Sequence, residues 1–298
     1  GLPLATCFAK NNVSVLAIDK NELVISKLNK GIAPFYEYGL EENLNESKKN
    51  IKYTKNYGEC YKTDITIILV NTPSVEKDGS FSNLYILDSI RLLCANLIKY
   101  NKCSHNFIIS STVMPGSIGK EIIPLIEKLM NWKINKEFGI AYIPDFVKIG
   151  TVIKNFENPD LLLIGESNSK IGEIAENLYR KIIKNSANTY RMNVLEGEIS
   201  KISLNAYITM KISFANFISN LTELSGNANP DNITNAIGQD KRISPYYLKG
   251  GLPFGGTCFP RDTWAFAEFS KSLGLNAEHI MAANNINQSQ HDNIYNLV

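Results

Sequence analysis

The sequence is poor in the residues and patterns that mark several classes of protein. Its five cysteines are an odd number and include no CxxC pair, which fits a reducing compartment better than a disulfide framework. Its three histidines have no metal-ligand spacing with one another or with cysteine, so we predict no metal site. The net charge is only +2, and no basic strip interleaved with aromatics occurs, which argues against nucleic acid as a partner.

Long hydrophobic runs are also missing. The longest, Ile65–Val70, has 6 residues, whereas a membrane-spanning helix needs about 20. The first residues lack the basic start and the long apolar core of a signal peptide. We therefore expect a cytoplasmic protein with no membrane partner.

The sequence does have enough apolar material for two cores. It has 298 residues, 44% of them hydrophobic, and at roughly 100–200 residues per domain this length indicates about two domains. Five short apolar runs are Val13–Ile18, Ile65–Val70, Phe107–Ser110, Gly139–Ile143 and Leu161–Ile164. The helix-compatible stretches between them are Asn21–Lys30, Leu84–Lys99, Ser117–Met130 and Lys170–Lys184. This alternation predicts an α/β fold, a Rossmann-like doubly wound parallel sheet with helices on both faces.

The pattern changes near residue 190, so we predict one domain over residues 1–190 and a helical domain over 191–298. The second begins with one long helix, Glu196–Leu224, for which Gly226 is a plausible end. A glycine-rich loop, Gly250–Gly256, lies among shorter helices. Because apolar residues surround much of the long helix, we expect it to pack against a second copy and form a symmetric homodimer.

The amino-terminal segment resembles part of a dinucleotide-binding motif. Gly1 opens a small-residue helix, and Asp19 ends the strand that follows, as in the second half of the G-x-G-x-x-G fingerprint. Such an acid accepts hydrogen bonds from the adenine ribose and favours NAD over NADP. The first half of the fingerprint is absent, so we expect the first strand to be missing. Taken alone, an acid after a strand is equally well explained as a turn residue.

Small polar residues also follow three other predicted strands. They are Asn71-Thr72-Pro73, Ser110-Ser111-Thr112 and Pro144-Asp145-Phe146. Ligands of open α/β sheets bind at the carboxyl ends of the strands, so these segments are candidates for a binding site. Each of them is also compatible with an ordinary turn.

Two features of the second half could carry chemistry. In Gly255–Asp262 (GGTCFPRD), glycines leave Cys258 accessible, and a thiolate there could act as a nucleophile. Lys201 and Asn205 lie four apart on the long helix, so both project from one face and could stabilise an oxyanion. The alternatives are a buried, inert cysteine and a solvated lysine.

In their order along the chain, these segments resemble the nucleotide-sugar 6-dehydrogenase family, which includes UDP-glucose and GDP-mannose 6-dehydrogenases. The matching segments are GLPLA at Gly1, Gly31–Leu40, Asn71–Pro73, Ser111–Gly116, Tyr142–Gly150, Glu198–Asn205, Arg242-Ile243 and Gly255–Asp262. The resemblance implies oxidation of a sugar C6 alcohol to a carboxylate with two NAD+, through a thioester, in nucleotide-sugar metabolism and polysaccharide biosynthesis. We favour UDP-glucose as substrate and keep GDP-mannose as the alternative.

The same resemblance assigns roles to individual residues. Cys258 is the nucleophile, Lys201 and Asn205 stabilise the oxyanion, Asp262 pairs with Lys201, and Thr112 and Asp145 hold or activate water. The residues implied at NAD are Gly1, Asp19, Thr72 and Thr112. Those implied at the substrate are Phe146, Lys201, Asn205, Arg242 (from the partner subunit), Lys249 and Gly255. We expect the catalytic residues to meet in one cleft between the domains.

This sequence departs from the family pattern at two acids and at both ends. Asp145 stands where the family has Glu, and Ile149 stands where it has a second Glu, so we expect hydrolysis of the thioester to be the step affected. We expect the family's carboxyl-terminal domain, which binds the nucleotide, to be absent from residues 1–298. We interpret the chain as a piece of a longer protein that binds NAD poorly and is inactive by itself.

Two further hypotheses stay open. One is an inactive homologue or fragment that serves as a dimerising or binding module, which Ile149 and the short ends suggest. The other is a hydroxyacid dehydrogenase with a related sheet and helical domain, which would also use a lysine and an asparagine on a helix. The presence of Cys258 in a glycine loop argues against the second.

Overall fold

The computed structural model describes residues 1–75 and 79–297, and the chain divides into two compact units. The first contains Gly1–Thr72 and Asn83–Glu198. The second contains Pro73–Ser82 and the chain from Ile199 onward. The second unit therefore includes a short segment that interrupts the first in sequence.

The first unit alternates helices and strands. Its strands are β1 (Val15–Ile18), β2 (Ile51–Thr54), β3 (Ile65–Ile68), β4 (Asn106–Ile109), β5 (Ile140–Tyr142), β6 (Leu161–Glu166) and β7 (Asn188–Asn193). Its helices are α1 (Leu2–Lys10), α2 (Glu22–Asn29), α3 (Leu40–Ser47), α4 (Leu84–Lys99), α5 (Ile123–Met130), α6 (Val152–Glu157) and α7 (Ser169–Arg180). A 3₁₀ turn covers Tyr57–Lys62, and a π-helical turn, Ile118–Ile122, leads into α5.

The strands form a two-stranded sheet, β1-β2, and a five-stranded sheet in the order β3-β4-β5-β6-β7. The predicted Rossmann-like α/β fold is confirmed, with one difference in strand direction. Neighbours are parallel except β5 and β6, which pair antiparallel with Tyr142 opposite Gly165. Strands β2 and β7 were not predicted. Both carry polar residues within short stretches, IKYT and NTYRMN, so neither forms the apolar run of a buried strand.

Two apolar cores cover the two faces of the larger sheet. Phe107 and Ile109 belong to the cluster that includes α4 and α5, and Ile108 belongs to the cluster that includes α1 and α7. This alternation follows from the two-residue period of a strand. Helices therefore pack on both faces, which leaves the strand ends as the edges where loops can form a site.

The second unit is helical. Its long helix α8 (Val194–Ser225) begins in the first unit and continues from Ile199 in the second; it is followed by α9 (Pro230–Gly238), α10 (Phe259–Ser272) and α11 (Glu278–Leu297). Gly226, with a φ of +80°, follows α8 as expected. The Pro73–Ser82 segment contributes Phe81, whose ring centroid lies 4.3 Å from the Arg261 guanidinium carbon on α10.

Across residues 1–75 and 79–297, no helix combines the length and the apolar character needed to cross a membrane.

Candidate functional site

In the first unit, the segments after β3 and β4 are bound to each other. The Ser111 hydroxyl donates to the Val70 carbonyl at 2.8 Å and accepts from the Val70 N–H at 2.8 Å. The Thr72 hydroxyl donates to the Thr112 carbonyl at 2.7 Å. These bonds bring together Thr72 and Thr112, two of the residues implied at NAD. The small polar residues that sequence analysis singled out therefore form a continuous edge.

Asp145 follows β5, the next strand of the sheet, and is half-buried. Burial and the charge of Asp145 raise the pKa of Tyr179, so the carboxylate lies close enough to act on this phenol. The Tyr179 hydroxyl is in turn 3.2 Å from the Ser110 hydroxyl. Asp145, after β5, is therefore linked through Tyr179 to Ser110, at the end of β4. Ile149 lies further along this loop and is 93% exposed.

The amino end of α1 lies near two acids. The charges of Asp145 and Asp19 both act on the Gly1 nitrogen at the start of this helix. Asp19 follows β1 and accepts a 2.8 Å hydrogen bond from the Asn21 N–H. One of its oxygens thus takes part in a turn, as the simpler interpretation proposed. A helix amino end at this edge suits a pyrophosphate, and an acid after β1 suits a ribose, so the chain's residues fit a dinucleotide.

In the second unit, α8 and α10 contact each other through a buried polar pair. The Asn205 amide donates to the Asp262 carboxylate at 2.7 Å, and Arg261 Nε donates to its other oxygen at 3.2 Å. Asp262 is 1% exposed, and Lys201, one turn before Asn205, is also buried. A lysine and an amide inside the protein are not the solvated pair of the simpler interpretation. The pairing of Asp262 with Lys201 stays a prediction.

Cys258 occupies the position immediately before α10 and is exposed. Its carbonyl accepts the Asp262 N–H at 2.8 Å, and its sulfur is 3.6 Å from the Thr257 hydroxyl. The sulfur is therefore accessible at the amino end of a helix, where the helix dipole stabilises negative charge. By contrast, burial raises the pKa of Cys7 and of Cys94 to about 12, which makes both inert.

Three buried amides hold the loop that precedes Cys258, and sequence analysis did not identify them. Asn287 on α11 accepts the Phe254 N–H at 2.7 Å and donates to its carbonyl at 2.9 Å. Asn216 on α8 accepts the Gly251 N–H at 2.8 Å, and Gln290 donates to the Gly251 carbonyl at 2.8 Å. The loop backbone is thus hydrogen-bonded to two helices. In the sequence, each of these three amides is only a polar residue within a helix, and nothing there indicates that it contacts the loop.

Gly250 lets the same loop approach α8. A Cβ at this position would lie 2.8 Å from the Ser219 Cβ and 2.9 Å from the Ala215 carbonyl oxygen. Real Cβ atoms do not come this close, so the approach requires a residue without a side chain. Lys249 and Gly255, which flank the inner part of the loop, are both exposed.

Arg242 lies on the surface of the second unit. Its guanidinium binds Asp240 through contacts of 2.6–3.2 Å, and its side chain is 87% exposed. The neighbouring backbone is held by Lys211, whose ammonium donates to the carbonyls of Ile243 and Ser244 at 3.1 Å each. An open groove of about 730 Å³ begins here and is lined mainly by apolar side chains, among them Tyr207, Phe214, Ile237 and Leu248.

The described part of the chain has no group of three or more His, Cys, Asp or Glu side chains suited to a metal ion. The structure thus brings together Thr72 with Thr112, and Asn205 with Asp262. The meeting of all the implied catalytic residues in one cleft stays a prediction.

Comparison with known proteins decides the family. Residues 1–183 match the NAD-binding domain of the UDP-glucose/GDP-mannose dehydrogenase family, and residues 196–289 match its central domain. The chain belongs to the UDP-glucose/GDP-mannose dehydrogenase family. The resemblance seen in the sequence is therefore confirmed, and with it NAD as the cofactor of the first domain. Membership also favours the nucleotide-sugar hypothesis over a hydroxyacid dehydrogenase.

Individual relatives act on different sugars. The chain is 29% identical over 306 residues to a GDP-mannose 6-dehydrogenase of Pseudomonas savastanoi pv. phaseolicola, covering 100% of this chain and 68% of that protein. It is 32% identical over 272 residues to a UDP-glucose 6-dehydrogenase of Rickettsia bellii (strain RML369-C), covering 90% and 60%. A UDP-glucose dehydrogenase structure from Pyrobaculum islandicum superposes with a TM-score of 0.89 at 30% identity, covering 97% and 66%. The chain thus spans about two thirds of the length of these relatives.

Proposed function

We propose that the protein to which this chain belongs oxidises the C6 alcohol of a nucleotide sugar to a carboxylate in two NAD-dependent steps. UDP-glucose, giving UDP-glucuronate, is the substrate we favour. The observation that carries the proposal is the accessible Cys258 at the start of α10, one turn before the buried Asp262–Asn205 pair. A thiol there can add to an aldehyde while neighbouring donors bind the oxygen that becomes negative.

NAD+, when bound, would supply the acceptor for the hydride lost in each oxidation. The chain's own contribution to binding is the edge formed by Gly1, Asp19, Thr72 and Thr112. In this assignment Asp19 accepts hydrogen bonds from the adenine ribose, and the amino end of α1 faces the pyrophosphate. Thr72, already bonded to the Thr112 carbonyl, fixes the turn that borders the nicotinamide half.

Cys258 carries the second oxidation. Its thiolate sulfur adds to the C6 aldehyde carbon, and the carbonyl oxygen becomes the oxygen of a thiohemiacetal, stabilised by Lys201 and Asn205. Loss of hydride from C6 leaves a thioester. Water then adds to the thioester and the C–S bond breaks. The carboxylate product leaves, one proton of the water goes to the Cys258 sulfur and regenerates the thiol, and the other passes to solvent. A thiolate suits both the addition step and the hydrolysis step because it is a strong nucleophile and a good leaving group.

Water for the last step is assigned to Thr112 and Asp145. Asp145 is one methylene shorter than the family's Glu, and Ile149 has no group that could hold a proton or a water molecule. General base assistance is typically worth ~10²–10⁴-fold in rate, so hydrolysis is expected to be the slow step. On the substrate side we assign Phe146, Arg242, Lys249 and Gly255.

The functional protein is proposed to be a homodimer in the cytoplasm. A stripe on α8 exposes apolar side chains at Tyr207, Phe214, Phe217, Leu221 and Leu224, 47–88% of each. Their spacing of three, four and seven residues keeps them on one face, as in helix pairs that pack against each other. In a dimer formed through this stripe, Arg242 would contact the substrate bound to the partner subunit. A stable monomer in light scattering at micromolar concentration would contradict this assembly.

The test is product formation from defined substrates. The purified protein is incubated with NAD+ and either UDP-glucose or GDP-mannose, and NADH and uronate are measured together. Two NADH for each uronate are expected with UDP-glucose, no uronate with Cys258→Ser, and unchanged turnover with Cys103→Ser, the other exposed cysteine. Turnover with GDP-mannose alone would transfer the proposal to that sugar. No NADH with any nucleotide sugar would leave the inactive binding module as the function.

A further inference from the structure

Two loops of the first unit are each held by a buried glutamate from a distant part of the sequence. The first loop follows β4 and contains Thr112. Glu198, near the start of α8, accepts the Gly116 N–H at 2.6 Å with one oxygen and the Ile118 N–H at 2.9 Å with the other. Its side chain is fully buried, so both of its oxygens are turned to this loop rather than to solvent.

The second loop follows β5 and contains Asp145 and Ile149. Glu37 accepts the Gly150 N–H at 3.2 Å and the Val152 N–H at 2.7 Å. It is 7% exposed and comes from the segment before α3, more than a hundred residues earlier in the chain. Glu37 therefore holds the backbone of the second loop in the same way that Glu198 holds that of the first.

The two arrangements share the same local geometry. In each, the carboxylate bridges the N–H groups of a glycine and of the residue two positions later. The glycines have φ values of +90° at Gly116 and +89° at Gly150, a backbone conformation that other residues rarely adopt. A helical segment begins directly after each glycine turn, at Ile118 and at Val152, so the carboxylates satisfy N–H groups that a helix leaves unpaired.

Neither carboxylate is placed to exchange protons with a substrate. Burial raises the pKa of Glu198, and the Ile118 and Gly116 N–H groups act in the opposite direction. Each side chain bridges two N–H groups of one loop, and hydrogen bonds to a charged group are stronger than neutral ones. Their effect on chemistry must therefore pass through the loops they hold, which emerge from the adjacent strands β4 and β5.

We propose that Glu37 and Glu198 are positioning residues, each setting the place of one strand-end loop and thereby of Asp145 and Thr112. The proposal rests on the proposed function for the roles of these two residues, but the anchoring itself does not. Glu198 then supports the loop of Thr112, which is assigned to both NAD and water, whereas Glu37 supports the loop of Asp145, which is assigned to water and lies near the Gly1 end of the NAD edge. Loss of the two carboxylates is therefore expected to have different consequences.

Amide hydrogen exchange tests the anchoring without any turnover. In Glu198→Gln, an N–H₂ group replaces one acceptor and faces a loop N–H, so segment 110–118 should exchange roughly tenfold faster or more. In Glu37→Gln, the same should hold for segment 144–152, and the other loop should not change. Matched controls are Glu196→Gln, an exposed carboxylate on α8 that accepts the Asn193 N–H, and Glu41→Gln, exposed at the start of α3. Unchanged exchange in both loops overturns the proposal.

Binding and kinetics test the positioning. We expect Glu198→Gln to weaken NAD binding by about tenfold, and Glu37→Gln to weaken it less while it lowers the steady rate of uronate formation. Glu37→Asp and Glu198→Asp keep the charge but are one methylene shorter, so each should fall between its Gln variant and the natural protein. Faster exchange with unchanged NAD binding and unchanged turnover would reduce both residues to a structural role and overturn the proposal.

The same measurements separate this proposal from the proposed function. A protein that forms no NADH from any nucleotide sugar fails the proposed function, and loop exchange and NAD affinity still decide the anchoring. If the Gln variants do not fold, the Asp variants supply the exchange data. Exchange in an Asp variant equal to that of the natural protein then counts against the anchoring.

Discussion

The Asn205 amide donates a 2.7 Å hydrogen bond to the Asp262 carboxylate, and both side chains are buried. Asn205 lies one turn after Lys201 on α8, and Asp262 lies one turn after Cys258 on α10. This bond, together with the 2.9 Å hydroxyl contact between Thr209 and Thr263, therefore joins α8, which carries the proposed oxyanion donors, to α10, which begins directly after the proposed nucleophile.

Removing the amide should cost stability as well as activity. Asn205→Ala leaves an Asp262 oxygen buried without this donor, and a buried, charged group without its hydrogen bond costs about 1–3 kcal/mol or more. Urea unfolding should show this loss, whereas Glu223→Ala, exposed on the same helix, should change stability by less than about 0.5 kcal/mol. Equal midpoints for the two variants would mean that the bond contributes little.

The side-chain amides that bind the glycine-rich loop should keep its backbone protected from hydrogen exchange. Asn287→Ala leaves both the N–H and the carbonyl of Phe254 without this side chain, at a cost of about 1–3 kcal/mol for each group. Residues 250–256 should then exchange their amide hydrogens faster, and Gln288→Ala, an exposed neighbour on α11, should not alter them. Unaltered protection in Asn287→Ala would show that the loop is held by other contacts.

One residue is in a backbone conformation that suits glycine better. Ser244 has a φ of +68°, in the left-handed region that glycine adopts without strain. A left-handed conformation costs roughly 1–2 kcal/mol for residues with a Cβ, so Ser244→Gly should raise the free energy of unfolding by about 1 kcal/mol. The Lys211 bond survives because it goes to the backbone carbonyl. Ser289→Gly, exposed within α11, should have the opposite sign; stabilisation by both would refute the argument.

His105 predicts a loss of stability in acid. Burial lowers its pKa from 6.5 to about 4, because the charged imidazolium is poorly accommodated beside β4. The unfolded chain binds the proton more readily, so stability is fully present above pH 6.5 and falls as the pH drops towards 4, by roughly 3 kcal/mol in all. Unfolding at several pH values should give a shallower slope for His105→Gln. Equal slopes for His105→Gln and the natural protein would contradict this account.

Ile149 predicts how the reaction slows. With Asp145 as the remaining carboxylate, the proposed reaction should give a burst of NADH about equal to the number of active sites and then a slow steady rate. Ile149→Glu should raise the steady rate and leave the burst nearly unchanged, and it should not disturb folding because the side chain is 93% exposed. Rapid-mixing traces without a burst, or a steady rate that Ile149→Glu does not change, would show that this position does not limit hydrolysis.

The sequence predicted the elements whose signal is local. Leu84–Lys99 was predicted with the bounds that the structure gives to α4, and five of the strands coincide with apolar runs. Strand β7 was missed because an edge strand needs little hydrophobicity on one side. The antiparallel pairing of β5 with β6 was missed because strand direction depends on the connection through α6 and not on residue type.

Within the candidate site, predictability followed sequence distance. Lys201 and Asn205 could be placed on one face because they share a helix. The partnership of Asn216 with Gly251, or of Glu37 with Gly150, joins residues 35 and 113 positions apart. A single sequence holds no signal for such pairs, since each half alone is an ordinary polar residue or an ordinary turn.

The contact between Phe81 and Arg261 has a consequence for synthesis on the ribosome. Phe81 belongs to the short segment that the second unit takes from the middle of the first, and its ring lies 4.3 Å from the Arg261 guanidinium carbon. The codon for Arg261 is read 180 residues after that of Phe81, which at about 5–20 residues per second takes roughly 10–40 s. During that interval the first unit can fold before the residues that pack against Phe81 have been synthesised. The second unit can complete its packing only when its later residues bind the Pro73–Ser82 segment, which was synthesised well before them.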